Sequence, residues 1–360
     1  MHPADLIAES IARTGSFACV GLDPRPSLLP PSLIAEHVGR HGDTAQAVAS
    51  AFVEFNAGII DAVSGRCAVV KPQVACYEAY GSAGWDALAA TVDAAHSAGI
   101  PVIVDAKRGD IGSTADHYAQ ALFGGAPALG AGAVAGLGAD WVTVNAYMGT
   151  DAITPFLAAD LGDLGDPGDR CDVGDLTDLG DLGAGAVAGA GSGGGLVGGG
   201  PADGGVATEG STSGGVFVLV RTSNPSGAQV QELRTGGADE AASTVAHDVA
   251  RLVDQLGEGR DGVCGFSDVG AVVGATYPDE ARRLRQLMPR ALFLVPGYGA
   301  QGGTAADSVA GARPDGSGVL VSASRSIAGA WQSPGADDWR AAAAAELDRM
   351  NDDLAAALDA

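Results

Sequence analysis

Eight short runs rich in Val, Leu and Ile recur along this chain of 360 residues, separated by longer stretches with helical patterns. The runs show little polar alternation, which is typical of parallel strands that are covered on both faces. They cover residues 17–22, 67–71, 102–105, 141–145, 216–221, 269–274, 291–296 and 319–323. Helices are expected at 44–63, 85–98, 151–159, 238–256 and 341–360. Eight β/α alternations predict an α/β fold, a closed (β/α)8 TIM barrel.

The main structural alternative is a doubly wound sheet of the Rossmann type. Such a sheet carries a GxGxxG loop after its first strand, whereas Gly21-Leu22-Asp23-Pro24 follows the first run in this chain. The sequence therefore favours the barrel.

A low-complexity segment interrupts the alternation between the fourth helix and the fifth strand. From 160 to 181 an Asp occurs at every third position, and Gly- and Ala-rich sequence continues to Gly215. A period of three fits neither a helix nor a strand, and little here can be buried, so we expect disorder. The alternative, a calcium-binding repeat, would need a nine-residue Gly/Asp pattern that this segment lacks.

We therefore expect one domain in three parts. These are the first half of the barrel at 1–160, the disordered insert at 161–215, and the second half with a C-terminal helix at 216–360. Helix-to-strand loops lie on the face of a barrel opposite the active site. Deletion of 162–214 is thus expected to leave the catalytic rate unchanged, and a large loss of turnover in a folded deletion variant would contradict this.

Acidic residues outnumber basic residues by 44 to 20, which gives a formal charge of −24. Nucleic-acid binding needs a basic surface, so no nucleic-acid partner is expected. Five cysteines without a CxxC pair indicate reduced thiols. Residues 1–18 lack the long apolar core of a signal peptide, and no run is long enough to span a bilayer. The composition predicts a cytoplasmic protein without a membrane partner.

Polar side chains follow nearly every apolar run. The third run ends in Asp105 and Lys107, which point to the same side because they lie two apart on a strand, and Asp110 follows Gly109. Buried charges are expensive unless paired, so these form an ion cluster that is either structural or catalytic. The other runs end in Asp23, Lys71, Asn145, Arg221 to Asn224, Thr276 and Ser322 to Arg325. Barrel enzymes place their active sites at this end of the strands.

The last two strand ends are typical of a phosphate site. Loops after strands seven and eight of such barrels commonly hold phosphate through backbone N–H groups. The run 297–303 contains Gly297, Gly299, Gly302 and Gly303, which permit close approach of the backbone. These glycines could instead only form tight turns, but Arg325 after the eighth run can bind a phosphate with two hydrogen bonds. We therefore expect phosphate binding here.

Taken together, these residues resemble the orotidine 5′-phosphate decarboxylase family, in particular its longer bacterial branch. The motif Asp105-x-Lys107-x-x-Asp110, with Gly109 and Ile111-Gly112, matches the signature of that family. Further matching segments are 21–25, 71–73, 273–278, 296–303 and 324–325. The DxKxxD motif alone is shared with a related sugar-phosphate family, but the ordered set spans about residues 15 to 330 and is specific.

The resemblance implies a homodimer, with no metal or organic cofactor, that decarboxylates orotidine 5′-monophosphate to uridine 5′-monophosphate in de novo pyrimidine biosynthesis. It implies catalytic roles for Lys71, Asp105, Lys107 and Asp110, with Lys107 as proton donor and Asp110 reaching into the neighbouring site. Substrate binding is implied for Asp23, Ile111, Thr114, Asn145, Ser223, Gln301 and Arg325. Among these, Asp23 would bind the ribose, Gln301 and Arg325 the phosphate, and Ile111 and Thr114 would approach the neighbouring site. Asn145 and Ser223 are included without an assigned pyrimidine contact.

Three alternatives remain open. A metal-dependent lyase acting on hexulose or ketogulonate phosphates would use the carboxylates to bind Mg²⁺, although Lys71 disfavours a cation there. A Schiff-base aldolase would use Lys107 or Lys71, which requires a lowered pKa, whereas flanking aspartates raise it. A non-catalytic barrel would bind a phosphate ligand and use the ion array structurally. Chelator sensitivity, borohydride trapping, and binding without turnover would mark the three in turn.

Overall fold

The structure, a computed structural model, describes residues 1–130, 132–158, 214–235, 243–333 and 338–359. The expected disordered insert lies outside the described residues, apart from its last two positions, Gly214 and Gly215.

Eight parallel strands form one sheet in the spatial order β2-β1-β8-β7-β6-β5-β4-β3. Strands β1–β8 cover Ala18–Leu22, Val69–Pro72, Ile103–Arg108, Trp141–Val144, Gly215–Arg221, Val269–Val273, Phe293–Pro296 and Val319–Ala323. The two end strands, β2 and β3, meet through parallel bridges from Val70 to Val102 and from Gln73 to Asp105. These bridges close the sheet, so the predicted (β/α)8 barrel is confirmed.

Thirteen α-helices occur in the described part of the chain. Helices α1–α13 cover Pro3–Thr14, Pro31–His41, Ala45–Val63, Val74–Glu78, Gly81–Ser97, Gly112–Leu122, Thr154–Leu157, Ala228–Gln231, Val245–Leu256, Pro278–Leu287, Ala305–Val309, Arg325–Ala328 and Trp339–Leu358. The helix beginnings follow local chemistry. Thr44 accepts a hydrogen bond from the N–H of Ala47 at the start of α3, and Pro278 occupies the first turn of α10. None of the helices in these ranges has the length and apolar character needed to cross a membrane.

Several boundaries differ from the sequence expectation. Strand β3 ends at Arg108 rather than at 105, and the helix expected at 238–256 begins at Val245. Gly215, which was assigned to the insert, is the first residue of β5 and pairs with Trp141. A Cβ atom on Gly215 would lie 2.4 Å from the Trp141 ring, so a glycine in this strand serves close packing. The helix expected at 151–159 is a 3₁₀ turn at Thr150–Ala152 followed by the four-residue α7.

Alternate residues of each strand point into the barrel, and their character changes along the strand. Near the amino ends they are apolar and form one cluster with α1, which includes Ile7, Ile103, Trp141, Phe217 and Leu320. The indole N–H of Trp141 donates to the carbonyl of Pro3 at 3.1 Å, which fixes α1 across this end. Apolar side chains therefore fill the barrel at the amino ends of its strands. The polar inward positions lie at the carboxyl ends.

Candidate active site

A cavity of about 670 Å³ opens at the carboxyl ends of the strands. All eight strands or the loops that follow them contribute to its wall. The lining includes Asp23, Arg25, Lys71, Gln73, Asp105, Lys107, Thr143, Thr222, Ser223, Asn224, Val272, Pro296, Gly297, Tyr298, Ala300, Gln301, Ser322, Ser324 and Arg325. Most of the charged groups follow β1–β3. The remaining one, Arg325, follows β8 and lies in the same wall as the glycine-rich loop after β7.

The carboxylate of Asp105 is the centre of a charged network in this cavity. Its Oδ2 accepts hydrogen bonds from Lys71 Nζ at 3.0 Å and from Gln73 Nε2 at 2.8 Å. Its Oδ1 accepts from Lys107 Nζ at 2.6 Å and from Thr143 Oγ1 at 2.7 Å. Four donors, two of them ammonium groups, satisfy one buried carboxylate, so its burial is compensated.

Opposite charges keep this network ionised. Burial on its own would lower the pKa of Lys71, but the carboxylates of Asp105 and Asp23 outweigh it and raise that pKa well above its ordinary value. Burial would likewise raise the pKa of Asp105, but the charges of Lys71 and Lys107 hold that pKa far below its usual range. Lys71 is a poor nucleophile in this state, because its amine stays protonated.

Lys107 has a backbone conformation that is rare for a residue with a side chain. Its φ angle is 49°, and it is the one non-glycine residue with a positive φ in the described ranges. The pairing of β3 with β4 shifts register between Val104 and Arg108, so the strand bulges at this lysine. The N–H of Lys107 donates to Thr143 Oγ1 at 2.9 Å. Thr143 therefore binds both the backbone of Lys107 and the carboxylate of Asp105, which holds the strained segment in place.

The distribution of lysine in the sequence is extreme. Among the 20 basic residues of the chain only two are lysines, and these are Lys71 and Lys107. Both bind the same carboxylate. Lysine, whose ammonium group is a compact cation that can carry a proton, thus occurs in this chain only at the cavity.

Asp23 lines the cavity and has one carboxylate oxygen without a hydrogen bond. Its Oδ2 accepts from Ser324 Oγ at 2.7 Å, whereas its Oδ1 is buried and has no hydrogen-bond partner among the described residues. A buried carboxylate oxygen without a donor is costly, so this atom is suited to a ligand hydroxyl.

The loop after β7 turns back on itself in a way that leaves backbone donors free. Its glycines at 297, 299 and 302 have φ angles of 112°, 63° and 91°, which residues with a Cβ rarely adopt. The N–H of Gly299 donates to Gly303 O at 2.9 Å, and the N–H of Gly303 donates to Gly297 O at 3.1 Å. Within the described structure the N–H groups of Ala300 and Gln301 donate to no protein acceptor. The guanidinium of Arg325, which has no partner among the described residues, lines the same cavity, and donors of these two kinds are able to bind an anion together.

Comparisons with known proteins assign the family. The chain matches the model of the orotidine 5′-phosphate decarboxylase / HUMPS family over residues 18–337. This chain belongs to that family. An orotidine 5′-phosphate decarboxylase of Rhodopirellula baltica is 37% identical over 351 residues, which is 96% of each chain. One from Haloarcula marismortui is 36% identical over 327 residues, or 91% of this chain and 87% of the relative.

Solved structures agree with this assignment. The chain aligns with a Leishmania donovani OMP decarboxylase at a TM-score of 0.63 and 29% identity, over 100% of both chains. It also aligns with Leishmania donovani UMP synthase at a TM-score of 0.63 and 31% identity, over 98% of this chain. In that match the chain spans 56% of the length of the UMP synthase.

The structure divides the decarboxylase signature between two places. Asp105 and Lys107 lie in the cavity, but Asp110 does not reach them within the same chain, and its Oδ1 accepts from the N–H of Ile111 at 2.8 Å. Ile111 and Thr114 are exposed at the start of α6 and do not line the cavity.

The remaining sequence-predicted residues are also divided. Six of them line the cavity: Asp23, Lys71, Ser223, Gly297, Gln301 and Arg325. The other glycines of the loop after β7, at 299, 302 and 303, do not line it. Asn145 lies outside, because its Oδ1 accepts from the N–H of Tyr147 and caps the turn after β4. The carbonyl of Ser223 accepts from Thr276 Oγ1 at 3.2 Å, which ties the loops after β5 and β6 together.

Three residues of the site were not singled out from the sequence as site residues. These are Gln73, Thr143 and Ser324. Each continues the inward-facing register of its strand, since Gln73 lies two residues after Lys71 and Thr143 lies two residues after Trp141. A period-two count from the inward-facing Lys71, Trp141 and Ser322 would have identified them.

Proposed function

We propose that this chain is a carboxy-lyase that converts orotidine 5′-monophosphate to uridine 5′-monophosphate and CO₂ in pyrimidine biosynthesis, in the cytoplasm. The observation that carries the proposal is the Lys71–Asp105–Lys107 network, in which two ammonium groups share one buried carboxylate beside a phosphate-type loop. The curated relatives that carry the decarboxylase name cover nearly the full chain.

The substrate would lie across the cavity between the Lys71–Asp105–Lys107 network and the loop after β7. Its phosphate would accept from the N–H groups of Ala300 and Gln301 and from Arg325, with the amide of Gln301 as a further donor. The unpartnered Oδ1 of Asp23 would accept a ribose hydroxyl. These contacts would place the pyrimidine ring against Lys107.

The reaction needs stabilisation of negative charge and then a proton. When the bond between C6 and the carboxylate breaks, CO₂ leaves and the electron pair remains on C6. The ammonium group of Lys107 stabilises this carbanion and gives it a proton, after which the neutral amine regains a proton from water. Asp105 would also repel the substrate carboxylate, but ground-state destabilisation contributes only about 1–5 kcal/mol. Preorganised charge would therefore supply most of the barrier reduction.

The proton transfer gives the direct test of this mechanism. In D₂O the product should carry one deuterium at C6, because Lys107 exchanges its protons with solvent before it reacts. The measurement is NMR of the uridine 5′-monophosphate formed, with EDTA present. Formation of product only after Mg²⁺ is added would instead support the metal-dependent lyase.

A homodimer would complete the charge array. Asp110 makes no contact with a lysine of its own chain, and a second cavity of about 690 Å³ adjoins Lys107. The walls of this second cavity carry Arg25 and Lys107, which suit an incoming carboxylate, while Arg108 in the same wall is paired with Glu78. Ile111, next to Asp110 in the chain, and Tyr147, after β4, are 50% and 87% exposed, so a partner could cover both apolar groups. Asp110 of a second copy would then flank Lys107.

Mixing two inactive variants tests the shared site. In a heterodimer of Lys107→Ala and Asp110→Ala, one site retains both an intact Lys107 and an intact Asp110. Random mixing gives half heterodimers with one such site each, so activity should recover to about a quarter of wild type. No recovery, although native mass spectrometry shows mixed dimers, would contradict the shared site.

Two alternatives fit the donor set less well. Both oxygens of Asp105 already accept from ammonium groups, so a Mg²⁺ ion there would meet two cations. A Schiff base needs a neutral amine, whereas Asp105 and Asp23 raise the pKa of Lys71.

A further inference from the structure

Tyr298 links the phosphate loop to the C-terminal helix. It follows Gly297 in the loop after β7, is 7% exposed, and lines the active-site cavity. Its hydroxyl points away from the cavity and donates to Asp353 Oδ2 on α13 at 2.8 Å. Burial, together with this acceptor, raises the pKa of Tyr298, so the phenol remains a hydrogen-bond donor at neutral pH.

Asp353 is itself held by its own helix. Arg349 lies one turn earlier on α13, and its Nη1 donates to Asp353 Oδ2 at 2.9 Å. The Nε of the same guanidinium donates to Glu346 Oε2 at 3.0 Å. Because the guanidinium of Arg349 binds both Glu346 and Asp353, it orients the Asp353 carboxylate that accepts from Tyr298.

The phosphate loop has few other anchors. Among the described residues, the bond from Tyr298 to Asp353 is the one side-chain hydrogen bond that residues 297–303 make. The other polar contacts of the loop are backbone bonds within it, such as the one from Gly302 N to Gly299 O at 2.9 Å. The bond from Tyr298 to α13 therefore helps to fix the direction of the free N–H groups of Ala300 and Gln301.

The same helix lies behind the second phosphate element. A surface cleft is lined by Arg325 and Ser326 from α12 and by Glu346 and Arg349 from α13. Arg349 thus lies between the loop after β7 and the start of α12.

We propose that Asp353 is a positioning residue for phosphate binding, which acts through the hydroxyl of Tyr298 and is oriented by Arg349. The inference rests on the proposed function, since it assigns the phosphate end of the same site. The substrate does not touch Asp353. Its carboxylate fixes the loop, and the loop presents its N–H groups to the phosphate dianion.

This role is tested by measuring the binding of phosphate and of the nucleoside separately. The variants are Asp353→Asn and Tyr298→Phe. The matched control is Asp352→Asn, because Asp352 is an exposed neighbour on α13 whose side chain makes no hydrogen bond in the described structure. The measurements are KM for orotidine 5′-monophosphate, inhibition by inorganic phosphate, and inhibition by uridine. Both variants should raise KM and the phosphate Ki about tenfold, the effect of one charge-assisted hydrogen bond. The uridine Ki and the control should stay at wild-type values.

A double variant adds a second readout. If the two residues act through one hydrogen bond, the combined Asp353→Asn and Tyr298→Phe protein should bind phosphate no more weakly than either single variant. Additive losses would overturn the proposal. So would an unchanged phosphate Ki, or equal losses for phosphate and uridine, since the latter would mean general disruption.

Failure of the proposed function would look different. Direct calorimetry of inorganic phosphate binding needs no turnover, so it tests the role of Asp353 even in a protein that does not decarboxylate. A wild-type protein that binds phosphate but leaves orotidine 5′-monophosphate intact would refute the reaction and leave the positioning role to be judged from the Asp353→Asn titration.

Discussion

Lys107 combines a strained backbone with a half-exposed charged side chain. Its φ of 49° places the residue in the left-handed region, while its ammonium group is anchored on Asp105 at 2.6 Å. Strain of this kind costs of order 1–3 kcal/mol and persists where the surroundings fix it. At this position the surroundings aim the proton donor into the cavity.

Replacement of Lys107 by Ala should abolish decarboxylation without unfolding the protein. The variant loses both the proton donor and the cation next to C6, so kcat should fall at least about 10⁴-fold. Loss of a 46% exposed side chain should leave the melting temperature nearly unchanged. The check is steady-state turnover beside thermal unfolding, and near-wild-type turnover would refute the assignment.

Thr143→Val should separate positioning from chemistry. Valine keeps the volume but leaves the N–H of Lys107 and one lone pair of Asp105 unpaired. We expect kcat to fall about 10–100-fold, which corresponds to about 1.4–2.8 kcal/mol. Thr143→Ser retains the hydroxyl and is the matched control. A Val variant as active as the Ser variant would mean that this hydroxyl does not position the lysine.

The pH dependence of stability should report Asp105. Its folded pKa lies below the unfolded value of about 3.9, so acid protonates the unfolded state first. The stabilisation is therefore complete above about pH 5 and is lost as the pH falls through the unfolded value toward the folded one. Breaking a buried pair costs about 3–5 kcal/mol, so Asp105→Asn should be destabilised by about that amount at pH 7. Urea unfolding should show this difference shrinking below pH 4, and a constant difference would contradict the account.

The charged residues of the site were predictable from the sequence, but their partners were not. Asp105 and Lys107 share a face because they lie two apart on a strand, which local geometry dictates. Gln73 and Thr143 meet Asp105 only through the register of β2 and β4 against β3, a property of the assembled barrel. Asn145, expected to bind substrate, lies outside the cavity and caps the turn after β4, as a strand-end amide can do, so its role in binding stays a prediction.

At the scale of elements, the loop after β7 depends on glycine for two different reasons. Gly299 needs a positive φ, whereas Gly303 needs space, because a Cβ there would lie 2.8 Å from Ala275 Cβ and 2.8 Å from Gly297 O. The loop must therefore shift when Gly303 carries a side chain.

Gly303→Ala should raise KM for the nucleotide about tenfold or more, because a small displacement of the phosphate donors misaligns the whole substrate. The control is Gly39→Ala on the exposed face of α2, where a Cβ meets nothing within 4 Å. That change should leave KM unaltered and stabilise the protein by about 0.5–1 kcal/mol. Steady-state kinetics and urea unfolding check both, and an unchanged KM in Gly303→Ala would show that the loop is not a phosphate site.

The eight strands were predictable as elements because each is a continuous apolar run. Their ends were less so. Strand β3 continues to Arg108 through a bulge, and β5 begins at Gly215, because long-range pairing with β4 decides both boundaries. Composition placed Gly215 in the low-complexity insert, but its packing against Trp141 places it in the barrel.

At the scale of the whole molecule, the barrel separates stability from function. Apolar inward residues and α1 fill its amino end, so the polar inward positions form a cavity at the other end only. The net charge of −24 describes the chain as a whole, whereas its only two lysines lie in this cavity. The closed fold followed from counting alternations, but the partner that would bring a second Asp110 is a property of the assembly.

The most direct measurement is turnover of orotidine 5′-monophosphate by the purified protein, with EDTA present throughout and the product identified by mass. Our account predicts uridine 5′-monophosphate and one equivalent of CO₂, at a rate that Mg²⁺ does not increase. A folded protein that releases no CO₂, or releases it only after Mg²⁺ is restored, would contradict decarboxylation by the Lys71–Asp105–Lys107 network.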